Sequence, residues 1–163
     1  MTTELTLFSD YYQIHILDSG SEVVPEDYWG RADASVRDHL AVAEDAVGIN
    51  TGVNDYVTVS IDQTGGPPAE DTGGFDTVTE CSLRAGTGEL VVTSPTWGWH
   101  DADRVSVPSG WLRLRISLTR SPFDEFDEDD PDHRQHVRIE CWPAPPADPV
   151  LIKGWDCVAE RHV

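Results

Sequence analysis

A chain of 163 residues with 39% apolar content is long enough to form one domain, residues 1–163, around a substantial core. Its 30 acidic residues against 11 Lys and Arg leave a formal net charge of −19, so binding to nucleic acid or to an anionic membrane would meet electrostatic repulsion. The same charge suits a basic protein surface.

In the first 20 residues, a short run over 4–8 precedes an alternation of Tyr12, Ile14 and Ile16 with Gln13, His15 and Leu17. Period two predicts a strand, and Asp18-Ser-Gly20 its turn. Pro25-Glu-Asp-Tyr-Trp29 places proline and acids where a helix begins, and Tyr28, Ala32, Val36 and Leu40 follow at a spacing of four. One or two short helices are therefore expected between 25 and 40. Residues 46–50 and 56–61 read as two strands joined by Thr-Gly-Val-Asn-Asp55. The Gly- and Pro-rich stretch 65–74 is expected to be a mobile loop. Residues 77–84 and 89–93 are expected to pair around Ala85-Gly-Thr-Gly88.

Beyond an aromatic loop at 94–101 and a short run at 105–108 comes the most regular alternation. Leu112, Leu114, Ile116 and Leu118 share one face, and Trp111, Arg113, Arg115, Ser117 and Thr119 the other. Val137, Ile139 and Cys141 repeat it against Arg138, Glu140 and Trp142. The two runs predict one long hairpin whose tip, 121–135, holds seven carboxylates. A proline-rich extended crossing over 142–149 and an edge strand at 150–152 close the chain. Strand-like runs at roughly ten-residue intervals, with turn residues between, predict an all-β fold. The expected architecture is an antiparallel β-sandwich of about eight strands with the one or two short helices added.

The acidity is uneven. Residues 1–80 carry 16 acids with only Arg31 and Arg37 as bases, while 81–163 carry 14 acids and nine bases. Seven of those 14 fall between 124 and 132. Three cysteines without a C-x-x-C spacing predict reduced thiols, with Cys81 and Cys141 in the core. No basic leader and no long apolar run is present, so the expected location is the cytoplasm.

Several stretches carry a joint pattern: Phe8-Ser-Asp-Tyr-Tyr-Gln-Ile-His-Ile16, the acidic Glu26-Asp-Tyr-Trp29, the strand end at Asp62, and Val107-Pro-Ser-Gly-Trp-Leu-Arg-Leu-Arg-Ile116. Val137-Arg-Ile-Glu-Cys-Trp-Pro-Ala-Pro-Pro146 and Val150-Leu-Ile-Lys153 complete the set. Together they resemble the competence protein J family, whose founding member inhibits a DNA-entry nuclease. The resemblance implies inhibition of a nuclease and transfers no catalytic residue. The loops at 65–74 and 124–132 depart from the family pattern.

The acidic run supplies the candidate partner-binding residues: Asp124, Glu125, Asp127, Glu128, Asp129, Asp130 and Asp132, with Phe123 and Phe126 as apolar anchors. A nuclease must present Lys and Arg to a polyanion, so fixed carboxylates can occupy the same surface. The plainer reading is a solvated loop kept extended by its like charges. Its oxygens also suit calcium, but the run lacks the glycine and terminal glutamate of an EF-hand loop, and no metal site is assigned.

Trp97, Trp99, His100 and Asp101 form the alternative site, for a small molecule, a carbohydrate or calcium, unless they simply close the end of the sandwich. The outward Arg113, Arg115 and Arg138 are expected to pair with the chain's own carboxylates. No nucleophile elbow, phosphate loop, zinc-protease motif or dinucleotide fingerprint is present, so catalysis and cofactors are unsupported. The reading is a non-enzymatic inhibitor or immunity-type protein that binds and occludes a basic partner, a nuclease or toxin. No direct nucleic-acid or membrane contact is expected, and the oligomeric state is left open.

Overall fold

A computed structural model describes residues 2–23, 35–36, 40–96, 102–119 and 134–154. Among these residues, twelve strands form two six-stranded sheets. The first sheet contains β1 (Thr2–Phe8), β6 (Tyr56–Gln63), β11 (Gln135–Pro143), β10 (Gly110–Leu118), β7 (Thr77–Ala85) and β12 (Val150–Lys153), in that spatial order. The second contains β3 (Ser35–Val36), β4 (Leu40–Val42), β5 (Ala46–Asn50), β2 (Gln13–Asp18), β8 (Glu89–Thr93) and β9 (Asp103–Ser106).

The predicted hairpin is the centre of the first sheet. β10 pairs antiparallel with β11, Leu114 opposite Cys141 and Ile116 opposite Ile139. On its other edge β10 pairs antiparallel with β7, Leu114 opposite Cys81. Because side chains alternate, this register aligns Leu112, Leu114, Ile116 and Leu118 with Leu83, Val137 and Ile139 on one face. Those residues meet Ile14, Ile16, Val47, Ile49, Leu90 and Val92 of the second sheet in a single core. Each large aliphatic side chain fully buried there contributes about 1.5–3 kcal/mol from the hydrophobic effect.

The expected pairing of 77–84 with 89–93 is corrected. β5 and β6 do not pair with each other, nor do β7 and β8; each duo is split between the sheets. Alternation reports which face of a strand is buried, and both sheets bury a face in the same core, so it cannot assign a strand to a sheet. β6 instead lies parallel to β11, Val59 opposite Val137 and Ile61 opposite Ile139. The turn between β7 and β8 needs Gly88, which has φ +75° and whose missing Cβ would lie 3.3 Å from the Val107 carbonyl oxygen.

No helix occurs among the described residues, and Ser35–Val36 and Leu40, expected in a short helix, lie in strands instead. Val36 and Leu40, taken as a helical i,i+4 pair, are directly opposed across the β3–β4 pair. A tight hairpin and a helical turn both bring residues four apart together, and spacing alone cannot separate them. The remainder of that expectation, over 25–34 and 37–39, lies outside the described residues.

The outer face of the second sheet is also largely buried. Leu17, Ala41, Ala46, Val91 and Ala102 form a smaller cluster there. His15 shares that side of β2, is 1% exposed, and places Nε2 3.0 Å from Gln13 Oε1. Burial pulls its pKa down to about 4.

Candidate protein-binding end

The outer face of the first sheet carries Arg113, Arg115 and Arg138, and their charges are spent internally, as expected. Arg115 Nε donates to Glu80 Oε2 at 3.0 Å, and its Nη1 donates to the carbonyls of Pro68 and Ala69 at 3.2 Å each. Arg113 reaches Ser82 Oγ at 3.0 Å and the carbonyls of Ala147 and Asp148 at 2.9 and 3.0 Å. Arg138 lies 3.6 Å from Glu140, donates to the Asp71 carbonyl at 2.7 Å, and stacks 4.3 Å above the Phe75 ring. A guanidinium can donate five hydrogen bonds in a planar fork, so each arginine can serve a carboxylate and a passing backbone together.

These bonds also correct the expectation that 65–74 is mobile. Carbonyls of Pro68, Ala69, Asp71 and Thr72 are held by Arg115, Arg138 and Lys153. The loop is a strap over the arginine face. Glycine and proline content reports the absence of regular pairing, not freedom of movement.

Two open grooves lie on the described surface. One, of about 360 Å³, is lined by Asp18, Gly20, Asp45, Arg84, Gly86 and Thr87. Asp18 there is committed to the turn, accepting from the Thr87 amide and hydroxyl and from the Gly20 amide. The other, of about 300 Å³, lies between Val42, Glu44, Trp111, Ala147 and Asp148, and Glu44 there is already paired with Arg84. No group of three or more metal-ligating side chains occurs among the described residues.

The opposite end of the molecule is organised differently. Here β1 turns into β2 through Ser9–Tyr12, β5 passes to β6 through 51–55, and β10 ends beside the start of β11. A buried polar hub ties these connections together. Ser9 Oγ lies 2.5 Å from Thr51 Oγ1, and Gln135 Nε2 donates to the carbonyls of Thr51 and Thr119 at 2.7 and 2.8 Å. Ser9, Thr51 and Gln135 are all buried. The Ser9 amide donates to the Asp55 carbonyl at 2.8 Å, and the Thr51 amide to the Tyr12 carbonyl at 2.9 Å.

Over this hub sit exposed aromatics. Among the described residues only Tyr11, Tyr12, Tyr56 and Val150 are exposed large apolar side chains, and the three tyrosines share this end. Asp10, between Ser9 and Tyr11, accepts a short hydrogen bond from the Thr96 hydroxyl. Arg134 lies 5.8 Å from the Tyr56 ring.

Phe123, Asp124, Glu125, Phe126, Asp127, Glu128, Asp129, Asp130 and Asp132 lie outside the described residues, as do Trp97, Trp99, His100 and Asp101. What is described are the residues flanking them. Thr119 and Arg134 bracket the acidic segment, Thr96 precedes the aromatic one, and all three belong to the tyrosine-bearing end. Sequence reasoning did not single out Tyr11 or Tyr56. Tyr12, expected among a strand's alternating apolar residues, stands in the turn before β2. An unusual density of aromatic residues at Tyr11-Tyr12, just before that strand, was the available signal.

No protein-family model matches the chain, and no curated protein matches it. Solved structures do. The crystal structure of ComJ from Bacillus subtilis, described as the inhibitor of the DNA-degrading activity of NucA, aligns with a TM-score of 0.64 and 13% identity. The alignment covers 87% of this chain and 96% of that one. The chain has the ComJ fold. A protein described as crocagin biosynthetic gene J shares it, at a TM-score of 0.63 and 19% identity, over 89% of this chain and 98% of that one. The ComJ-like scaffold therefore appears in proteins described in two different settings, an inhibitor and a biosynthetic protein, and fold alone does not choose between them.

Proposed function

We propose that this ComJ-like chain is a non-enzymatic inhibitor or immunity-type protein that occludes a basic protein partner, most simply a nuclease. The observation carrying this reading is the convergence at one end. Thr119 and Arg134, which bracket the most acidic segment, lie at the end that carries the exposed Tyr11, Tyr12 and Tyr56: Gln135 of the buried hub holds the Thr119 carbonyl, and Arg134 lies 5.8 Å from the Tyr56 ring. The likeness to a nuclease inhibitor supports it, as does the net charge of −19.

In this reading Asp124, Glu125, Asp127, Glu128, Asp129, Asp130 and Asp132 face the lysines and arginines that a nuclease offers to DNA, with Phe123 or Phe126 as anchor. Opposed charges accelerate encounter and set the register of docking, while apolar contacts supply much of the lasting affinity. Inhibition then follows from occupancy of the polyanion site, and no chemical step by this chain is required.

The test is titration against NucA at increasing salt, with the unaltered chain and a variant whose seven carboxylates in 124–132 are amides. Inhibition is expected to weaken as salt rises, and the amide variant is expected to associate more slowly by about tenfold or more at low salt. Inhibition indifferent to both changes refutes the electrostatic reading.

A further inference from the structure

The turn that joins the two sheets at this end has an unusual backbone. Tyr11 has φ +51° and Tyr12 φ +63°, and the Gln13 amide donates to the Asp10 carbonyl at 3.0 Å. Two successive left-handed residues closed by that bond have the pattern of a type I′ turn, which Asn-Gly fills most easily because a Cβ is disfavoured there. This chain places two tyrosines in it, 65% and 54% exposed. Local backbone energy and solvent exposure both oppose that choice, and strain of this kind clusters at ligand clamps.

The turn is also fixed in place. The Tyr11 amide donates to Asp10 Oδ1 at 3.0 Å and to Asn54 Oδ1 at 3.1 Å. The Tyr12 carbonyl accepts from the Thr51 amide, and Asp10 accepts from Thr96. Beside it Tyr56, 46% exposed, is braced edge-on by Phe8 with ring centroids 5.1 Å apart. An anchored aromatic loses little conformational freedom on binding, which is why rigid tyrosines serve well at paratopes.

We infer that the Tyr11-Tyr12 turn, with Tyr56 beside it, is a preset aromatic ridge that docks onto a cationic protein surface. The inference rests on the proposed inhibitory function and identifies the part of the surface that anchors the partner. Charge selects the occupant. Asp10 and Asp55 rim the ridge with carboxylates that accept from the Tyr11 and Tyr56 amides, and the chain's own Arg134 lies over Tyr56. Arginine or lysine side chains of a partner can therefore lie across the Tyr11 and Tyr12 faces beside those carboxylates. A second copy would bring another net charge of −19, and an anionic bilayer would be repelled in the same way.

The deciding variant replaces Tyr11 by Asn and Tyr12 by Gly together, which keeps the turn while removing the rings. Its melting temperature is expected to rise as the left-handed strain is relieved, and its Kd for NucA, measured calorimetrically at low salt, to increase by roughly thirtyfold or more, the scale of interface hot spots. Unchanged affinity in this folded variant overturns the ridge, even where the amide variant of 124–132 has lost binding and the inhibitory reading stands. Absence of NucA binding by the unaltered chain overturns the nuclease reading and the ridge with it. Sedimentation showing a dimer that the double variant dissociates would replace the cationic partner with a second copy and also overturn the inference.

Discussion

Glu80 is the residue whose loss should do most damage to the arginine face. Its carboxylate is shared by Arg115 Nε at 3.0 Å and Arg113 Nε at 3.4 Å, and the three side chains are only 5%, 9% and 16% exposed for Arg115, Arg113 and Glu80. Glu80→Gln keeps the shape and removes the charge, leaving two buried guanidinium groups short of a counterion. Breaking a buried pair in this way costs about 3–5 kcal/mol. Glu140, 3.9 Å from Arg115, remains as partial compensation. The lower figure of about 3 kcal/mol is therefore expected, which for a domain of this size is a fall in Tm of roughly 6–12 °C.

The control is Glu44→Gln. Its partner Arg84 lies 2.9 Å away, but the two side chains are 61% and 55% exposed, and such pairs contribute about 1 kcal/mol at most. Urea unfolding of both variants, in parallel with the unaltered chain, separates the cases. The Glu80→Gln midpoint should fall well below that of Glu44→Gln, and the gap should persist at high salt because water and ions do not reach the pair. Limited proteolysis adds a local readout, since Arg115 also holds the Pro68 and Ala69 carbonyls and cleavage within 65–74 should accelerate. Equal midpoints for the two variants would refute the claim that burial gives this ladder its strength.

Two further predictions concern buried titratable groups. His15 is held neutral by burial, with a pKa lowered from 6.5 to about 4. The unfolded chain therefore takes up a proton below about pH 6.5 that the folded chain refuses until about pH 4, so stability is lost as pH falls through that window, on the order of 3 kcal/mol in full. His136, also lowered by burial, acts with the same sign. The stability difference between the unaltered chain and His15→Gln should shrink between pH 7.5 and 4.5, and a constant difference would contradict the assignment. Burial likewise pushes the Cys81 thiol up to about 12 and the Cys141 thiol to about 11. In a Cys157→Ser background a thiol reagent at pH 8 should label neither cysteine without global unfolding, and prompt labelling of either would place it outside the core.

The competence protein J resemblance, drawn from short stretches such as Val107-Pro-Ser-Gly-Trp111, agrees with the ComJ likeness seen in three dimensions at the level of fold. The hairpin of β10 and β11 was legible almost residue by residue, because one buried face imposes a period of two that few other arrangements produce. The reduced, buried Cys81 and Cys141 and the edge strand β12 were legible for related reasons. The helix expected near Val36 and Leu40 failed because four-residue spacing fits a tight hairpin equally well.

What the chain's residues determined alone is the all-β character, the inward and outward face of each long strand, and the sign and size of the charge. Those are local properties, set by alternation and by counting. Only the tertiary structure decided that β5 and β6, or β7 and β8, part between two sheets, that β6 runs parallel to β11, and that Arg113, Arg115 and Arg138 spend their charge on Glu80, Glu140 and a backbone strap. It also decided that Tyr56, 44 residues beyond Tyr12, stands with Tyr11 and Tyr12 on one end above Ser9, Thr51 and Gln135. Such facts depend on contacts between residues distant in sequence, whose pairing energy is nearly the same for several strand orders until the shared core selects one.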